Sequence, residues 1–214
     1  MIREEYKDLW ERKEKNFKRV QMDQGIVLFL DCKDVTRNHK KYHMLDRDPI
    51  YRHMADSAYH VAQETDLSCL IYSAVDETSV IFQDPMDLIG YFRVGNCLDY
   101  ILSLYTQRFL KYFWKDYPEI FVKATAFPLP EDEIGRYLTW RESVCCAVAE
   151  TYVAKEYLPA SRYAGIPFGD HAMQTLLEEE GLYDRLEQAP GFLHGIRKKY
   201  QATCFGGLFA ENFF

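Results

Sequence analysis

A chain of 214 residues with 48% apolar and 28% charged residues, 11 Gly and 8 Pro has the makeup of one globular domain, or of a domain with an appendage. That excludes a chain disordered throughout, and 16 Tyr, 14 Phe and 3 Trp supply core area without disulfide or metal staples. Lys and Arg total 26 against 33 Asp and Glu, a net charge of −7 that excludes a broad DNA-coating surface, because general nucleic-acid binders are basic.

The six cysteines (Cys32, Cys69, Cys97, Cys145, Cys146, Cys204) form no CxxC pair, and the opening MIREEYKDLWERKEK lacks the apolar run of a secretory signal. A reducing cytoplasm with free thiols is the expectation. No window approaches the run of about 18 apolar residues that a membrane span needs.

Residues 3–20 set Tyr6, Leu9, Trp10, Phe17 and Val20 among many charges, which predicts an N-terminal amphipathic helix with one sparse apolar face. Gly25 breaks it, and GIVLFLD (25–31) is an uninterrupted apolar run of strand length ending in a carboxylate, a buried central strand. From Cys32 to Asp48 the chain is polar, without period, and reads as a loop or a broken segment. Pro49 suits the first turn of a helix to about Gln63, with Ile50, Met54, Ala58 and Val61 on one face.

LSCLIYSA (67–74) and TSVIFQ (78–83) are β-rich runs around Val75-Asp76-Glu77, a hairpin with two acids at its tip. Pro85 opens the next helix, carried to Trp114 by Leu88, Phe92, Leu98, Ile101, Leu102, Tyr105, Phe109 and Tyr112. EIFVKATAF (119–127) reads as a strand closed by Pro128 and Pro130. Glu131, Asp132 and Glu133 then make a favourable acidic first turn for a long helix ending before Pro159. Beyond it, 160–214 reads as helical turns and coil with GIP, APG and FGG breaks.

The order strand, helix, strand, strand, helix, strand is the split β-α-β or ferredoxin-like pattern, so an α+β fold with an antiparallel sheet is predicted. Residues 1–24 form the N-terminal helix, 25–158 the main domain and 159–214 an extension packing on it. A right-handed crossover makes the first two strands parallel, with the third returning between them. Asp31 and Asp76, 45 residues apart, then meet at one end of the sheet on neighbouring strands.

Two carboxylates so placed repel one another unless a cation lies between them. Mg²⁺ is the natural ion: it takes one or two carboxylates plus substrate phosphates, and a pair of ions serves phosphoryl transfer. Glu77 is expected to point to the other side of the turn. Topology alone is equally compatible with ordinary strand-end and turn acids, which are common.

Three segments carry a resemblance: FLDCKDVTRNHKKYH (29–43), SAVDETSVIF (73–82) and FVKATAFPLPEDEIGRYLTWRES (121–143). In order and spacing, residues 25–158 resemble the tRNA-histidine guanylyltransferases, whose catalytic domain is similar to a polymerase palm. That resemblance implies addition of a guanylate or other nucleotide to a tRNA 5′ end in the 3′-to-5′ direction. The 5′-phosphate is activated with ATP, the GTP 3′-hydroxyl attacks it, and the new terminal pyrophosphate is removed. It further implies that Asp31, Asp76 and the Cys32 backbone carbonyl hold two Mg²⁺ ions and that Glu77 supports the site. Lys33, Arg37, Lys40, Lys41, Asp48, Arg93 and Asn96 would contact the nucleotide. The implied partners are ATP, GTP and RNA, with neither DNA nor membrane, in a cytoplasmic homo-oligomer, a dimer or tetramer.

The chain departs from the family at three places. Cys32 stands where the family has glycine, Phe92-Arg93-Val94-Gly95-Asn96 keeps one cation of a basic stretch, and Val144-Cys145-Cys146-Ala147-Val148-Ala149 replaces a polar run. These departures motivate two alternatives, a palm-type synthase of cyclic or short oligonucleotides from free nucleotides and a non-catalytic RNA-binding relative.

The remaining chemistry-bearing residues read as follows. His39, His43, His53 and His60 match no familiar zinc spacing and are expected to be solvated or nucleotide-facing. Lys33, Arg37, Lys40, Lys41, Arg47 and Arg52 make 33–53 locally basic, either a triphosphate and RNA contact or a solvated loop. Cys145 and Cys146 read as small core residues. Trp140 is either a core anchor, with Arg141 bridging to an acid, or part of a phosphate contact. Asp170 to Glu187 reads as a solvated acidic face, and GGLFAENFF as a tail apolar enough to dock on this subunit or on a neighbour.

Overall fold

The computed structural model describes residues 6–9, 25–33, 49–65, 68–74, 76–84, 94–113, 121–187, 196–202 and 208–212. Strand β1 (Gly25–Lys33) leads to helix α1 (Pro49–Thr65), strands β2 (Cys69–Ala74) and β3 (Glu77–Phe82), helix α2 (Val94–Phe113) and strand β4 (Phe121–Leu129). A 3₁₀ turn at Glu131–Glu133 runs into helix α3 (Ile134–Tyr157). The short helices α4 (Ala160–Tyr163), α5 (His171–Glu179) and α6 (Tyr183–Glu187) follow, then strands β5 (Ile196–Ala202) and β6 (Leu208–Asn212). The start of the predicted second helix at Pro85 and all but residues 6–9 of the N-terminal helix lie outside the described residues.

One sheet holds all six strands in the order β4-β1-β3-β2-β5-β6. β3 pairs antiparallel with both β1 and β2, which makes those two parallel to one another, as the split β-α-β reading expects. β1 is central because its apolar run buries both faces. Ile26, Leu28 and Leu30 join the large cluster under α1 and α2, whereas Val27 and Phe29 join Tyr137 and Trp140 of α3 on the opposite face. Gly25 has a steric reason: a Cβ there would lie 2.8 Å from the Leu129 carbonyl oxygen and 2.9 Å from that of Phe82.

Two strand boundaries differ from expectation: β1 runs two residues past Asp31, taking Cys32 and Lys33 from the expected loop because β4 pairs with them. β4 runs through Pro128, which stands opposite Ile26. Its position as the outermost strand explains this, since an edge strand tolerates a residue that cannot donate to a second neighbour. Helix α3 ends at Tyr157, before Pro159 as expected, and Leu158 is extended, the conformation a following proline imposes.

The expectation of turns and coil for 160–214 holds only for the part to α6. β5 adds to β2 antiparallel, and β6, drawn from the apolar tail, adds to β5. IRKKYQA sets Ile196, Tyr200 and Ala202 in alternation with Arg197, Lys199 and Gln201, a short pattern broken by Lys198, and the open edge of β2 gives it a partner. In α5, Met173, Leu176 and Leu177 are buried while Glu178 and Glu179 stay exposed, so the acidic face is solvated as read. Asp170 caps α5 by accepting the Ala172 N–H at 2.9 Å.

Candidate active site

Alternation along β1 fixes where Asp31 points. Its even-numbered neighbours face α1 and α2, so Asp31 shares the α3 face with Val27 and Phe29. In register it stands opposite Glu77 of β3 on one side and Lys123 of β4 on the other. Directly opposed residues share a face, so an acid and a cation flank it. Asp76 lies in the hairpin just before β3, and the Cys32 N–H donates to the Asp76 carbonyl at 2.8 Å. Asp31 and Asp76, both half-buried, thus come to one strand end on neighbouring strands.

Ala74 is the register partner of Glu77, so the hairpin closes over two residues. Hydroxyl bonds brace it on both faces. Thr78 shares hydrogen bonds with Ser73 at 2.8 Å and with Tyr105 of α2 at 3.3 Å, while Ser79 and Tyr137 of α3 are 2.7 Å apart. Both phenols are buried, and burial first of all raises their pKa, that of Tyr137 to about 12, so they remain neutral hydrogen-bonding groups.

Glu77 reaches α3, where its Oε2 pairs with Nη2 of Arg141. Arg141 is only 2% exposed, and its guanidinium lies 5.0 Å from the Phe29 ring centroid and 5.2 Å from that of Trp140. Burial works against its charge, but Glu77, with Tyr137 and Tyr72, outweighs it and holds the pKa above the ordinary arginine value. Trp140 packs edge-on against Tyr137 at 5.6 Å, which is the core-anchor reading, with Glu77 as the acid that Arg141 bridges to.

The donor set suits a hard cation. Asp31 and Asp76 offer carboxylate oxygens, and Cys32 offers its backbone carbonyl, directed to the β3 side because a strand residue's N–H and C=O point to the same neighbour. Its side chain is no ligand: burial, then Asp76 and Asp31, raise the thiol pKa well above the ordinary value. Among the described residues no group of three His, Cys, Asp or Glu side chains is arranged to hold a metal.

Of the other expected site residues, Lys33 ends β1 and Asn96 lies in the first turn of α2. Arg37, Lys40, Lys41, Asp48 and Arg93 lie outside the described residues, as do His39 and His43. His53 and His60 sit on α1, half-buried and exposed. Cys145 is buried, and burial raises its thiol pKa, as suits a core residue. Lys123 escaped the sequence reading; only the β1–β4 register reveals it.

The split β-α-β sheet with two acids at the end of β1 and in the β2–β3 turn is a palm-type α+β fold. No family model matches the sequence, and no curated protein does. Among solved structures, tRNA(His) guanylyltransferase from Saccharomyces cerevisiae superposes with a TM-score of 0.64 at 16% identity, over 96% of each chain. A bacterial tRNA(His) guanylyltransferase-like protein in complex with GTP gives 0.60 at 14% identity over 100% of this chain and 91% of that one. The bacterial protein in complex with ATP gives 0.59 at 14% identity over 99% and 90%. The likeness is one of fold and spans nearly the whole chain.

Proposed function

We propose that this chain is a Mg²⁺-dependent nucleotidyltransferase that adds a guanylate or another nucleotide to the 5′ end of a tRNA. The observation that carries the reading is the convergence of Asp31 and Asp76 at one strand end, tied by the Cys32–Asp76 backbone bond, in a palm-type fold. Fold likeness to proteins solved with ATP and with GTP supports it.

In this reading ATP adenylylates the tRNA 5′-phosphate with loss of pyrophosphate. The GTP 3′-hydroxyl then attacks that phosphate, AMP leaves, and the new terminal pyrophosphate is removed. Asp31, Asp76 and the Cys32 carbonyl would hold two Mg²⁺ ions, which supply charge neutralisation at the phosphates and a more acidic attacking hydroxyl. The chain's own part is positioning. The braced hairpin fixes Asp76 against β1, and Lys33, Arg37, Lys40, Lys41, Asp48, Arg93 and Asn96 contact the nucleotide. Residues 25–158 form the palm, 1–24 pack on it and 159–214 extend it, adding β5 and β6 to its sheet, in a cytoplasmic dimer or tetramer.

Incubation with Mg²⁺, ATP, labelled GTP and a 5′-phosphorylated tRNA, intact or truncated at its 5′ end, tests the reading. Extension by one or more nucleotides supports it, and absence of extension on both RNAs overturns it. The lone Arg93 in 92–96 favours a second reading, synthesis of cyclic or short oligonucleotides, which a nucleotide mixture without RNA would reveal by chromatography.

A further inference from the structure

We infer that Arg141 is a positioning residue of this acidic strand end: it holds Glu77 against α3, keeps that carboxylate out of the cation site and leaves the ion to Asp31 and Asp76. The inference rests on the nucleotidyltransferase reading and assigns a task to a residue outside its cation ligands. Three acids, Asp31, Asp76 and Glu77, crowd within two neighbouring strand ends. Glu77 is the one set directly opposite Asp31 on the same face. An unrestrained carboxylate there would both repel Asp31 and compete for any cation bound to it.

Arg141 removes that competitor. It is buried on α3, its Nη2 meets the Glu77 carboxylate, and Phe29 and Trp140 rings flank the guanidinium. Among the described residues its buried Nε finds no acceptor, so Glu77 is the anion on which the buried charge depends. The pair is therefore not a solvated surface bridge, and the rings prevent the guanidinium from following Glu77 toward solvent. The helix thereby fixes how many negative charges the strand end presents.

The test is calorimetric titration of Mn²⁺, standing for Mg²⁺, into the full chain as wild type, Arg141→Gln and Arg141→Gln/Glu77→Gln, with turnover measured alongside. Releasing Glu77 in Arg141→Gln adds a full charge beside Asp31, so Mn²⁺ binds at least about tenfold more tightly than to wild type. The double variant returns to within about twofold of wild type, since it lacks the released charge. Turnover of Arg141→Gln falls about tenfold or more with the GTP KM little changed, as for a residue that sets reacting geometry. Equal Mn²⁺ affinity in the single and double variants, or weaker binding in Arg141→Gln, would overturn the inference and leave a purely structural ion pair. Should Arg141→Gln fail to melt cooperatively, Arg141→Lys against Arg141→Lys/Glu77→Gln decides by the same criteria. Turnover with a flat Mn²⁺ pattern sinks this inference alone; the expected Mn²⁺ pattern in a chain that never extends RNA sinks the functional reading alone.

Discussion

Glu77 stands directly across from Asp31 in the β1–β3 ladder, yet its carboxylate is claimed by Arg141 of α3. That relationship separates the acids of the strand end into two kinds. All three are half-buried, and Glu77 is paired with the buried Arg141. The consequences differ by substitution.

Asp31→Ala and Asp76→Ala should each reduce nucleotide addition by more than the roughly 10–100-fold typical of outer-shell partners of a metal site. Both variants should still melt cooperatively, because removal of one of several like charges relieves repulsion. Activity and thermal melts on the same preparations check both halves.

Breaking the buried pair from one side is a different matter. Arg141→Met leaves Glu77 half-buried without its cation, and Glu77→Met leaves a buried guanidinium unpaired. Either should cost about 3–5 kcal/mol, the usual penalty for an orphaned buried charge, while the double replacement should cost clearly less than the sum. Denaturant unfolding of the three variants measures it.

Much of this frame was legible in the sequence. The uninterrupted run 25–31 and the two β-rich runs around Val75-Asp76-Glu77 fixed the topology, and from it the meeting of Asp31 with Asp76. What escaped was set by tertiary pairing. β5 is short, and Lys198 interrupts its alternation of Ile196, Tyr200 and Ala202, so Ile196–Ala202 stands out as a strand only once it pairs with the edge of β2. Lys123 becomes a neighbour of Asp31 only through the β4 register, and the choice of Glu77 as the partner of Arg141 depends on how α3 crosses the sheet.

Gly25 is predicted to be intolerant of any side chain. A Cβ would press on carbonyl oxygens of both neighbouring strands, at 2.8 and 2.9 Å, and backbone cannot give way as a flexible side chain can. Gly25→Ala should destabilise by about 1–3 kcal/mol, the range for overpacking, read as a lower midpoint in urea with an unchanged slope.

Stability should also fall in alkali. Cys69 is buried, and burial raises its pKa from 9.0 to about 12. The unfolded chain therefore loses this proton at a pH where the folded chain still holds it. The stabilisation is complete below pH 9, declines as pH rises from there, and is lost by about 12. Replacing Cys69 with Ala should flatten part of that decline in a series of melts between pH 8 and about 11. An unaltered pH slope would show that the thiol does not contribute.

The most direct test of the central claim is a side-by-side 5′-extension assay of wild type, Asp31→Ala and Asp76→Ala on a 5′-truncated, 5′-phosphorylated tRNA with ATP, GTP and Mg²⁺. The account predicts extended product from wild type, none from either variant, and none from wild type in excess chelator. Extension by the variants at the wild-type rate, or none by wild type, would contradict it.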